Sequence, residues 1–195
     1  YDVESWHRYQ HLLIPGEEVV ITEKIHGANG RFCFSEDRIY CGSRGEWKRQ
    51  EEKNLWWMCL GQNSWIEQIC RRFPDYTLYG EIFGPVQSLR YGRTFSNIGF
   101  ALFDIWDHKK AEFLNYDSFN SILFRQLQDW RVPELYRGPY DEKLASFADG
   151  ESQIIGANHL REGCVIQPTQ ERIDLEIGRV KLKIVSNLYL EKSTK

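Results

Sequence analysis

The sequence predicts an α+β fold built mostly from antiparallel strands. Three observations support this class: short β-branched or alternating segments recur along the chain, a close turn joins two of them, and helical segments are interspersed among them. With 195 residues, 42% of them hydrophobic and 27% charged, the chain is long enough for a sizeable core. This composition argues against disordered, fibrous and disulfide-scaffold proteins.

Seven segments predict strands. They are residues 17–23, 31–35, 38–42, 77–83, 98–106, 163–167 and 173–185. The second and third flank Glu36 and Asp37, and a two-residue connection of this kind is typical of a β-hairpin. The first runs directly into a glycine-punctuated segment, residues 24–30, so that the strand ends in a turn.

Three segments predict helices. They are residues 51–73, 116–130 and 141–148. Apolar residues recur at intervals of three and four in the first, where Gly61 is a potential break, and Asp117 or Ser118 is the expected N-cap of the second. The chain shows no internal repeat, low-complexity segment or interdomain linker, which predicts a single domain over residues 1–195.

Charge and cysteine content limit the classes of function. The net charge of -3, from 25 basic and 28 acidic residues, excludes a protein that coats nucleic acid through its global charge. A local exception is the basic stretch 179–195, which includes Lys192 and Lys195 and is ordinarily a solvated tail. Five cysteines without a CxxC pair predict no disulfide framework and no zinc site, and therefore a cytoplasmic or other reducing compartment rather than secretion. No apolar run approaches the roughly 18 residues of a membrane span, so no membrane partner is expected.

Several familiar catalytic motifs are absent from the sequence. It contains no G-x-x-x-x-G-K-[ST] loop, no G-x-G-x-x-G, no H-E-x-x-H and no G-x-S-x-G. The sequence therefore gives no motif support for a P-loop kinase, a Rossmann dehydrogenase, a zincin or an α/β-hydrolase. What remains is a set of lysines and carboxylates at the ends of predicted strands.

Lys24 is the first candidate nucleophile, because it ends a predicted strand and is followed by the polar, glycine-rich segment 26–30. Glycine at such a point usually lets the backbone approach a ligand closely, whereas a solvated loop lysine is the ordinary alternative. A lysine attacks as the neutral amine, which burial or neighbouring cations favour, so a nucleophilic Lys24 predicts a second cation nearby. Alternation in residues 180–185 places Lys181 and Lys183 on one strand face, although a strand with one solvated face gives the same pattern.

Glu81 and Glu162 are carboxylates within or beside apolar segments. A charged group that enters a core has to be paired with an opposite charge, or to hold a metal ion or a ligand hydroxyl. The plainer alternative for each is an ion pair with an arginine. Arg44, which follows the predicted hairpin, is a phosphate clamp if it faces the same pocket and a surface arginine otherwise.

Six segments, in order, resemble the nucleotidyltransferase motifs of ATP-dependent polynucleotide ligases. They are Lys24-Ile25-His26-Gly27-Ala28-Asn29, Ser43-Arg44-Gly45, Tyr79-Gly80-Glu81-Ile82-Phe83-Gly84, Phe100-Ala101-Leu102-Phe103-Asp104-Ile105, Glu162-Gly163-Cys164-Val165-Ile166 and Val180-Lys181-Leu182-Lys183. The Lys-x-His-Gly form of the first motif resembles RNA ligases of the phage type-2 and RNA-editing group. DNA ligases and mRNA capping enzymes usually carry aspartate where His26 stands.

The resemblance implies a nucleotidyltransferase (ATP-grasp-like DNA/RNA ligase) fold, with mostly antiparallel sheets flanking a nucleotide pocket, and the activity of an ATP-dependent RNA ligase. By similarity, Lys24 attacks the α-phosphorus of ATP, expels pyrophosphate and carries AMP through a phosphoamide bond. AMP then passes to an RNA 5′-phosphate, and a 3′-OH attacks to seal the strand. Lys181 and Lys183 are implied to neutralise the phosphate charge during these steps.

The other motif residues have implied roles around the nucleotide. By similarity, Arg44 contacts a phosphate of the nucleotide or of the RNA, Phe103 stacks on the adenine, and Glu23 helps to fix the adenine through its backbone. The roles of His26 and Asp104 stay open.

A divalent metal ion is also implied, Mg²⁺ with Mn²⁺ as the alternative. By similarity, Glu162 and Asn29 hold it through water, and Glu81 engages the ribose or the water shell of the metal.

Only 12 residues, 184–195, follow Lys183, whereas ligases of this superfamily generally add a second nucleic-acid-binding module before the first motif or beyond the last. We therefore expect no separate OB-fold or C-terminal RNA-binding module in this chain. We also expect a monomer that adenylylates itself with ATP and joins RNA ends more weakly than any longer parent chain with an accessory module. The alternatives are a DNA ligase or capping-type guanylyltransferase, a nucleotide- or RNA-binding relative without catalysis, and a structural protein whose aromatic residues all belong to the core.

Overall fold

The computed structural model describes residues 3–123 and 130–193. Its strands are β1 (Glu4–Ser5), β2 (Glu18–Lys24), β3 (Ala28–Ser35), β4 (Arg38–Gly42), β5 (Tyr76–Phe83), β6 (Gly99–Asp107), β7 (Glu112–Phe113), β8 (Glu134–Pro139), β9 (Gly163–Pro168), β10 (Ile173–Asp174), β11 (Gly178–Arg179) and β12 (Leu182–Val185). Its α-helices are α1 (Trp6–Tyr9), α2 (Leu55–Gln62), α3 (Ser64–Arg72), α4 (Tyr116–Leu123) and α5 (Asn187–Ser193), and 3₁₀ helices cover Gln10–Leu12 and Glu142–Ala148. This mixture, with mostly antiparallel strand pairs, confirms the predicted α+β class.

The chain divides into two compact units. Unit 1 consists of Tyr1–Ile25, Asn115–Asn120 and Val132–Lys195, and unit 2 consists of His26–Leu114 and Ser121–Arg131. Each unit is built on its own five-stranded sheet.

The sheet of unit 1 has the strand order β1-β12-β9-β2-β8, and every pair except β1 and β12 is antiparallel. Residues that pair across strands share a face, so the register sorts the side chains into two faces. One face carries Ile21, Ile166 and Leu182, which pair across three strands and are completely buried in the core of the unit. Lys24 lies on the other face, because it is an odd number of residues from Ile21.

The sheet of unit 2 has the order β4-β3-β5-β6-β7 with antiparallel pairs throughout. Phe32, Leu78 and Ile105 pair across three strands on its core face and are completely buried. The predicted hairpin is confirmed, since Glu36 and Asp37 join β3 to β4 with left-handed φ angles of 50° and 58°. Two successive residues with positive φ are what a type I′ turn requires.

The helix predicted over residues 51–73 is two helices, and the break is at Asn63 rather than at Gly61. The Asn63 backbone is not helical, and its side-chain amide donates to the carbonyl oxygens of Cys59 (2.8 Å) and Ile98 (3.0 Å). These hydrogen bonds replace those of a continuous helix. The break therefore depends on a distant partner, Ile98, which immediately precedes β6.

The single strand predicted over residues 173–185 is also wrong. The segment forms the β10–β11 hairpin, and β12 begins only at Leu182. Asp174 is the reason, because its carboxylate accepts from the backbone N–H groups of Glu176 (2.8 Å) and Ile177 (3.3 Å) and so builds a turn.

The remaining helices differ in detail from the prediction. Helix α4 begins at Tyr116, so Asp117 and Ser118 lie in its first turn instead of capping it, and the predicted helical residues 124–129 lie outside the described residues. The segment predicted over 141–148 is a 3₁₀ helix, which Asp141 caps by accepting from the Lys143 N–H. The sequence does not predict β8, whose residues lack β-branched side chains and include glycine and proline.

All five cysteines are buried free thiols. Burial raises the pKa of Cys41 and of Cys164 to about 12, which makes these thiols unreactive. Their role is therefore to pack. In the ranges 3–123 and 130–193, none of the helices has the length and apolar character needed to cross a lipid bilayer.

Candidate active site

The Lys24 side chain lies at the end of β2, beside the start of β9. The register pairs Lys24 with Gly163, and Glu162 is the residue immediately before that glycine. Lys24 Nζ and Glu162 Oε2 are 2.7 Å apart, and the two side chains are only 25% and 13% exposed. Lys24 is therefore not a solvated loop lysine, since it forms a partly shielded ion pair with a second residue of the predicted catalytic set.

Gly163 controls how closely the neighbouring strands approach at this point. A Cβ atom on this residue would lie 2.0 Å from the Ile184 carbonyl oxygen on β12, far inside van der Waals contact. Only glycine therefore allows β9 and β12 to pair here. This pairing fixes the start of β9, and with it the position of Glu162.

Lys183 lies on the same sheet face as Lys24. It pairs with Val165 on β9, which pairs in turn with Thr22, two residues before Lys24 on β2. Because neighbouring strands are about 4.8 Å apart, Lys183 is two strand spacings, roughly 10 Å, from β2. Lys181 immediately precedes β12 and is 6% exposed. Lys183 thus shares a face with Lys24, and its place beside the Lys24 amine stays a prediction.

The basic stretch at residues 179–195 is not a uniformly solvated tail. Lys181 is buried, and Arg179 pairs with Glu171, with side-chain exposures of 14% and 21%. Lys195 and the side chain of Lys192 lie outside the described residues. Part of the positive charge of this stretch therefore lies on buried or ion-paired side chains of unit 1.

Glu23 lies on the opposite, core-facing side of β2 and is 1% exposed. Its carboxylate accepts hydrogen bonds from the Ser152 hydroxyl (2.5 Å) and the Gln153 backbone N–H (2.7 Å). Burial raises the pKa of Glu23, and these two hydrogen bonds oppose the rise. The carboxylate ties residues 152 and 153 to the strand that ends in Lys24. The sequence does not predict either partner, because no local pattern signals a contact between residues 129 positions apart.

In unit 2 the first motif continues through His26 and Gly27. A Cβ atom on Gly27 would lie 2.1 Å from the Ile82 carbonyl oxygen, so close packing against β5 requires this glycine. The structure thus gives the glycine a packing role, where the sequence suggested close approach to a ligand. The His26 backbone N–H donates to the Tyr91 hydroxyl (2.8 Å), and His26 Nε2 is 3.2 Å from Ser88 Oγ. The sequence carries no local signal for either of these partners.

Asn29 and Glu81 are direct cross-strand partners on β3 and β5. Their side chains share the face opposite the buried core of unit 2. The side-chain oxygen of Asn29 is buried and has no hydrogen-bond donor within the described part of the chain, whereas its backbone carbonyl accepts from the Trp56 indole (3.0 Å). A buried amide oxygen beside a carboxylate is a donor set that suits a hydrated divalent cation.

Phe103 is the extra residue of a β-bulge. The register of β5 and β6 shifts so that Tyr79 pairs with Asp104 and Gly80 with Leu102, which leaves Phe103 between them. A bulge changes the direction of a side chain, and bulges are common beside active sites. Asp104 is buried, with 3% exposure, on the face that it shares with Tyr79.

Arg44 lies in the turn that follows β4. The turn is closed by a hydrogen bond from the Ser43 N–H to the Glu46 carbonyl oxygen (2.9 Å). Arg44 is an exposed residue of this turn. Its role at a phosphate stays a prediction.

Comparisons with known proteins agree with these observations. A family model described as RNA ligase matches residues 17–185, and no curated protein sequence matches significantly. The structure of Naegleria gruberi RNA ligase with PPi is 27% identical with a TM-score of 0.82, and the alignment covers 99% of this chain and 57% of that one. Two mutants of the same ligase, one with ATP and Mn and one with AMP and Mn, are each 25% identical with a TM-score of 0.81, covering 98% and 57%. The fold is therefore that of the RNA ligase nucleotidyltransferases, and this chain spans 57% of the length of these matched structures.

Proposed function

The chain belongs to the RNA ligase family, and on that premise we propose that it is an ATP-dependent RNA ligase domain whose nucleophile is Lys24. Nζ of Lys24 attacks the α-phosphorus of ATP, the bond from that phosphorus to the bridging oxygen breaks, and pyrophosphate leaves. AMP then passes from Lys24 to the 5′-phosphate of an RNA, and a 3′-OH attacks that phosphate and releases AMP. The Naegleria ligase structures with ATP and Mn, with PPi, and with AMP and Mn support ATP as the nucleotide.

The observation that carries the proposal is the ion pair between Lys24 Nζ and Glu162 Oε2. The pair places the amine beside Glu162 at the end of β2, and this contact is proposed to orient it for attack. An ammonium group has no lone pair, so it has to give up a proton before it bonds to phosphorus. Glu162 Oε2, 2.7 Å away, is within hydrogen-bonding reach of that proton. We infer that separation of this pair accompanies attack.

Lys183 and Lys181 are proposed to neutralise charge on the phosphates. Phosphoryl transfer depends mainly on positioning and on cations around the transferred group. Lys183 shares a sheet face with Lys24, which supports its role at the same phosphate. Lys181 is 6% exposed, and a shielded cation acts on an anion more strongly than a solvated one does.

The available donors fit a divalent ion that keeps much of its water. Within the described ranges, no three His, Cys, Asp or Glu side chains cluster closely enough to hold a metal ion by themselves. Mg²⁺ commonly binds through one or two carboxylates, water and substrate phosphates, and Mn²⁺ accepts similar ligands. Asn29 with its cross-strand partner Glu81, and separately Glu162, are proposed to contact such an ion mainly through water. When bound, such an ion neutralises charge on the phosphates.

Further residues are proposed to recognise the nucleotide and the RNA. Phe103, at the bulge in β6, stacks on the adenine, and Glu81 contacts the ribose. Arg44 binds a phosphate, and Glu23 supports adenine recognition through its backbone.

The RNA substrate is proposed to carry a 5′-phosphate and a 3′-OH. The protein is proposed to act as a monomer, which sedimentation measures directly, and an accessory module of a longer parent chain is proposed to strengthen RNA joining. Five buried free thiols support a reducing compartment.

The decisive experiment is covalent labelling of the chain with ATP and Mg²⁺ in the absence of RNA. We expect one AMP on Lys24, detected as a mass increase of the intact protein and located by peptide mapping. Lys24→Ala is expected to abolish labelling, and so is Lys24→Arg, which keeps a cation beside Glu162. Lys143→Ala changes an exposed lysine of unit 1 and is expected to label fully. Failure of the parent chain to form the adduct contradicts the proposal.

A further inference from the structure

The segment that follows β5, residues 84–97, differs in composition from the rest of the chain. It contains two arginines, Arg90 and Arg93, and no acidic residue, in a protein with a net charge of -3. It also carries Phe95, which is 64% exposed. We call this segment the 84–97 loop, and it lies wholly within unit 2. Its charge and its exposed ring suggest contact with a ligand that is both anionic and flat.

The 84–97 loop is held in one conformation by its buried members. Tyr91 is 1% exposed and has a left-handed backbone, with φ of 52°, which persists in an aromatic residue only where the surroundings hold it. Its ring packs edge-on against Phe83, with ring centroids 5.2 Å apart. Arg93 lies over the same Phe83 ring and donates to the Asn97 side chain (2.9 Å). The Arg93 side chain is thus engaged by Phe83 and Asn97, whereas Arg90 is exposed.

The backbone at Phe95 is anchored although its ring is exposed. The Gln62 side chain on α2 donates to the Phe95 carbonyl oxygen (2.9 Å) and accepts from the Ile98 N–H (2.7 Å). A turn closed by a hydrogen bond from the Asn97 N–H to the Thr94 carbonyl oxygen (3.0 Å) brackets the residue. An exposed ring on a fixed backbone is a preformed flat surface, which loses little conformational freedom on binding.

The same loop is hydrogen-bonded to the first motif. The Tyr91 hydroxyl accepts from the His26 backbone N–H at 2.8 Å, and Ser88 Oγ lies 3.2 Å from His26 Nε2. His26 follows Lys24 by two residues in the chain. A ligand on the 84–97 loop is therefore connected through these contacts to the segment that follows the proposed nucleophile.

We propose that the 84–97 loop binds single-stranded RNA beside the first motif, an inference that rests on the proposed function. Arg90 pairs with a backbone phosphate, and Phe95 stacks on an unpaired base. A duplex keeps its bases stacked on one another, so an exposed ring of this kind favours a single strand. The lack of acidic residues in the loop removes local repulsion of the phosphates.

The test is the affinity of the chain for a short, labelled single-stranded RNA with a 5′-phosphate, measured by fluorescence anisotropy without ATP. Phe95→Ala is expected to weaken binding roughly 5- to 100-fold, the range for the loss of one base stack. Phe95→Trp keeps a flat ring and is expected to retain binding. Arg90→Ala is expected to lower the slope of log affinity against log salt concentration by about 0.7, the value for one phosphate contact on a single strand.

Two variants of unit 2 serve as matched controls. Arg72→Ala removes an exposed arginine of α3, and Trp47→Ala removes an aromatic residue that is 46% exposed and covered on its ring by the Arg31 guanidinium. Both are expected to bind RNA as the parent chain does, and thermal unfolding shows that each variant is folded. The proposal is overturned if Phe95→Ala and Arg90→Ala bind like the parent, if Trp47→Ala loses more affinity than Phe95→Ala, or if the parent chain does not bind the RNA.

The result is separable from that of the labelling experiment, because each assay omits the other substrate. RNA binding that depends on the loop, without an AMP adduct on Lys24, contradicts the proposed nucleophile and leaves the loop assignment supported. An adduct on Lys24 together with RNA binding that ignores the loop contradicts only the loop assignment.

Discussion

Units 1 and 2 position their candidate site residues in different ways. In unit 1, Lys24 and Lys183 follow the regular alternation of paired strands, and the contact with Glu162 arises where two strands meet. In unit 2, the direction of the Phe103 side chain depends on a bulge. The His26 backbone N–H is hydrogen-bonded to Tyr91, a loop residue with a left-handed backbone. Alternation is visible in a sequence, whereas bulges and strained loops depend on partners that are distant in the chain. A sequence therefore reveals more about the candidate residues of unit 1 than about those of unit 2.

The largest expected effect is a loss of stability when the most tightly packed glycine of each unit is replaced. Both glycines lie within the ligase-like motifs. Gly163→Ala in unit 1 and Gly27→Ala in unit 2 place a methyl group 2.0 and 2.1 Å from a carbonyl oxygen. We expect each to lower the free energy of unfolding in urea by about 3 kcal/mol or more. Gly61→Ala, at an exposed helical position with open space around it, is the control and is expected to raise that free energy by up to about 1 kcal/mol. A small loss at either tight glycine shows that its backbone can move aside, which contradicts the packing argument for that unit.

The next effect tests whether the ion pair of unit 1 takes part in chemistry. Glu162→Gln keeps the shape of the side chain and removes the charge beside Lys24. We expect the single-turnover rate of adduct formation with ATP to fall about 100-fold, as for the loss of one electrostatic contact in a transition state. Glu142→Gln, an exposed carboxylate of the same unit, is expected to react at the parent rate. An unchanged rate in Glu162→Gln rules the pair out of the reaction.

A smaller effect tests the irregular anchor of unit 2. Tyr91→Phe keeps the ring packed on Phe83 and removes only the hydroxyl that accepts from the His26 N–H. The free energy of unfolding is expected to fall by about 1 kcal/mol, because a part-buried backbone donor loses its partner. Tyr136→Phe in unit 1 removes an exposed hydrogen bond to Pro139 and is expected to change it by less than about 0.5 kcal/mol. If both variants lower the free energy of unfolding by the same amount, the hydrogen bond to His26 stabilises the fold no more than an exposed one does.

The smallest effect is a pH dependence in unit 1. Burial raises the pKa of Glu23, so the folded chain binds this proton more tightly than the unfolded chain does. The stability that protonation contributes is present at low pH and is lost as the pH rises through the raised pKa. We therefore expect the parent chain to lose stability relative to Glu23→Gln when urea denaturation is moved from about pH 4 to about pH 7. Parallel pH profiles contradict a raised pKa at this carboxyl.

The parts of the fold predicted from sequence share a physical basis. The hairpin at Glu36 and Asp37, and strand β2 that ends in Lys24, follow from turn length and backbone periodicity. The break at Asn63 escapes such reasoning, because its side chain is satisfied partly by the Ile98 carbonyl oxygen of a distant segment. Glycine at position 61 is the better helix breaker by propensity, and the hydrogen bonds of the folded chain override that propensity.

The missed site residues have the same explanation. Ser152 and Gln153 become partners of Glu23 only when a loop more than a hundred residues later in the chain returns to β2. Tyr91 and Ser88 likewise meet His26 because β5, which precedes their loop, pairs with β3. None of these four residues carries a local signature, because their roles come from contacts rather than from spacing.

The sequence by itself determined the order of the six motifs, the membership of the RNA ligase family and the strand faces, because residue type and periodicity are local properties. Only the tertiary structure decided that Lys24 pairs with Glu162 and that Gly163 is needed for β9 to approach β12. It likewise decided that the His26 backbone N–H is hydrogen-bonded to Tyr91 of the 84–97 loop. Two strands become neighbours when hydrophobic residues from distant parts of the chain are buried together. A short window of adjacent residues does not contain the identity of that distant partner.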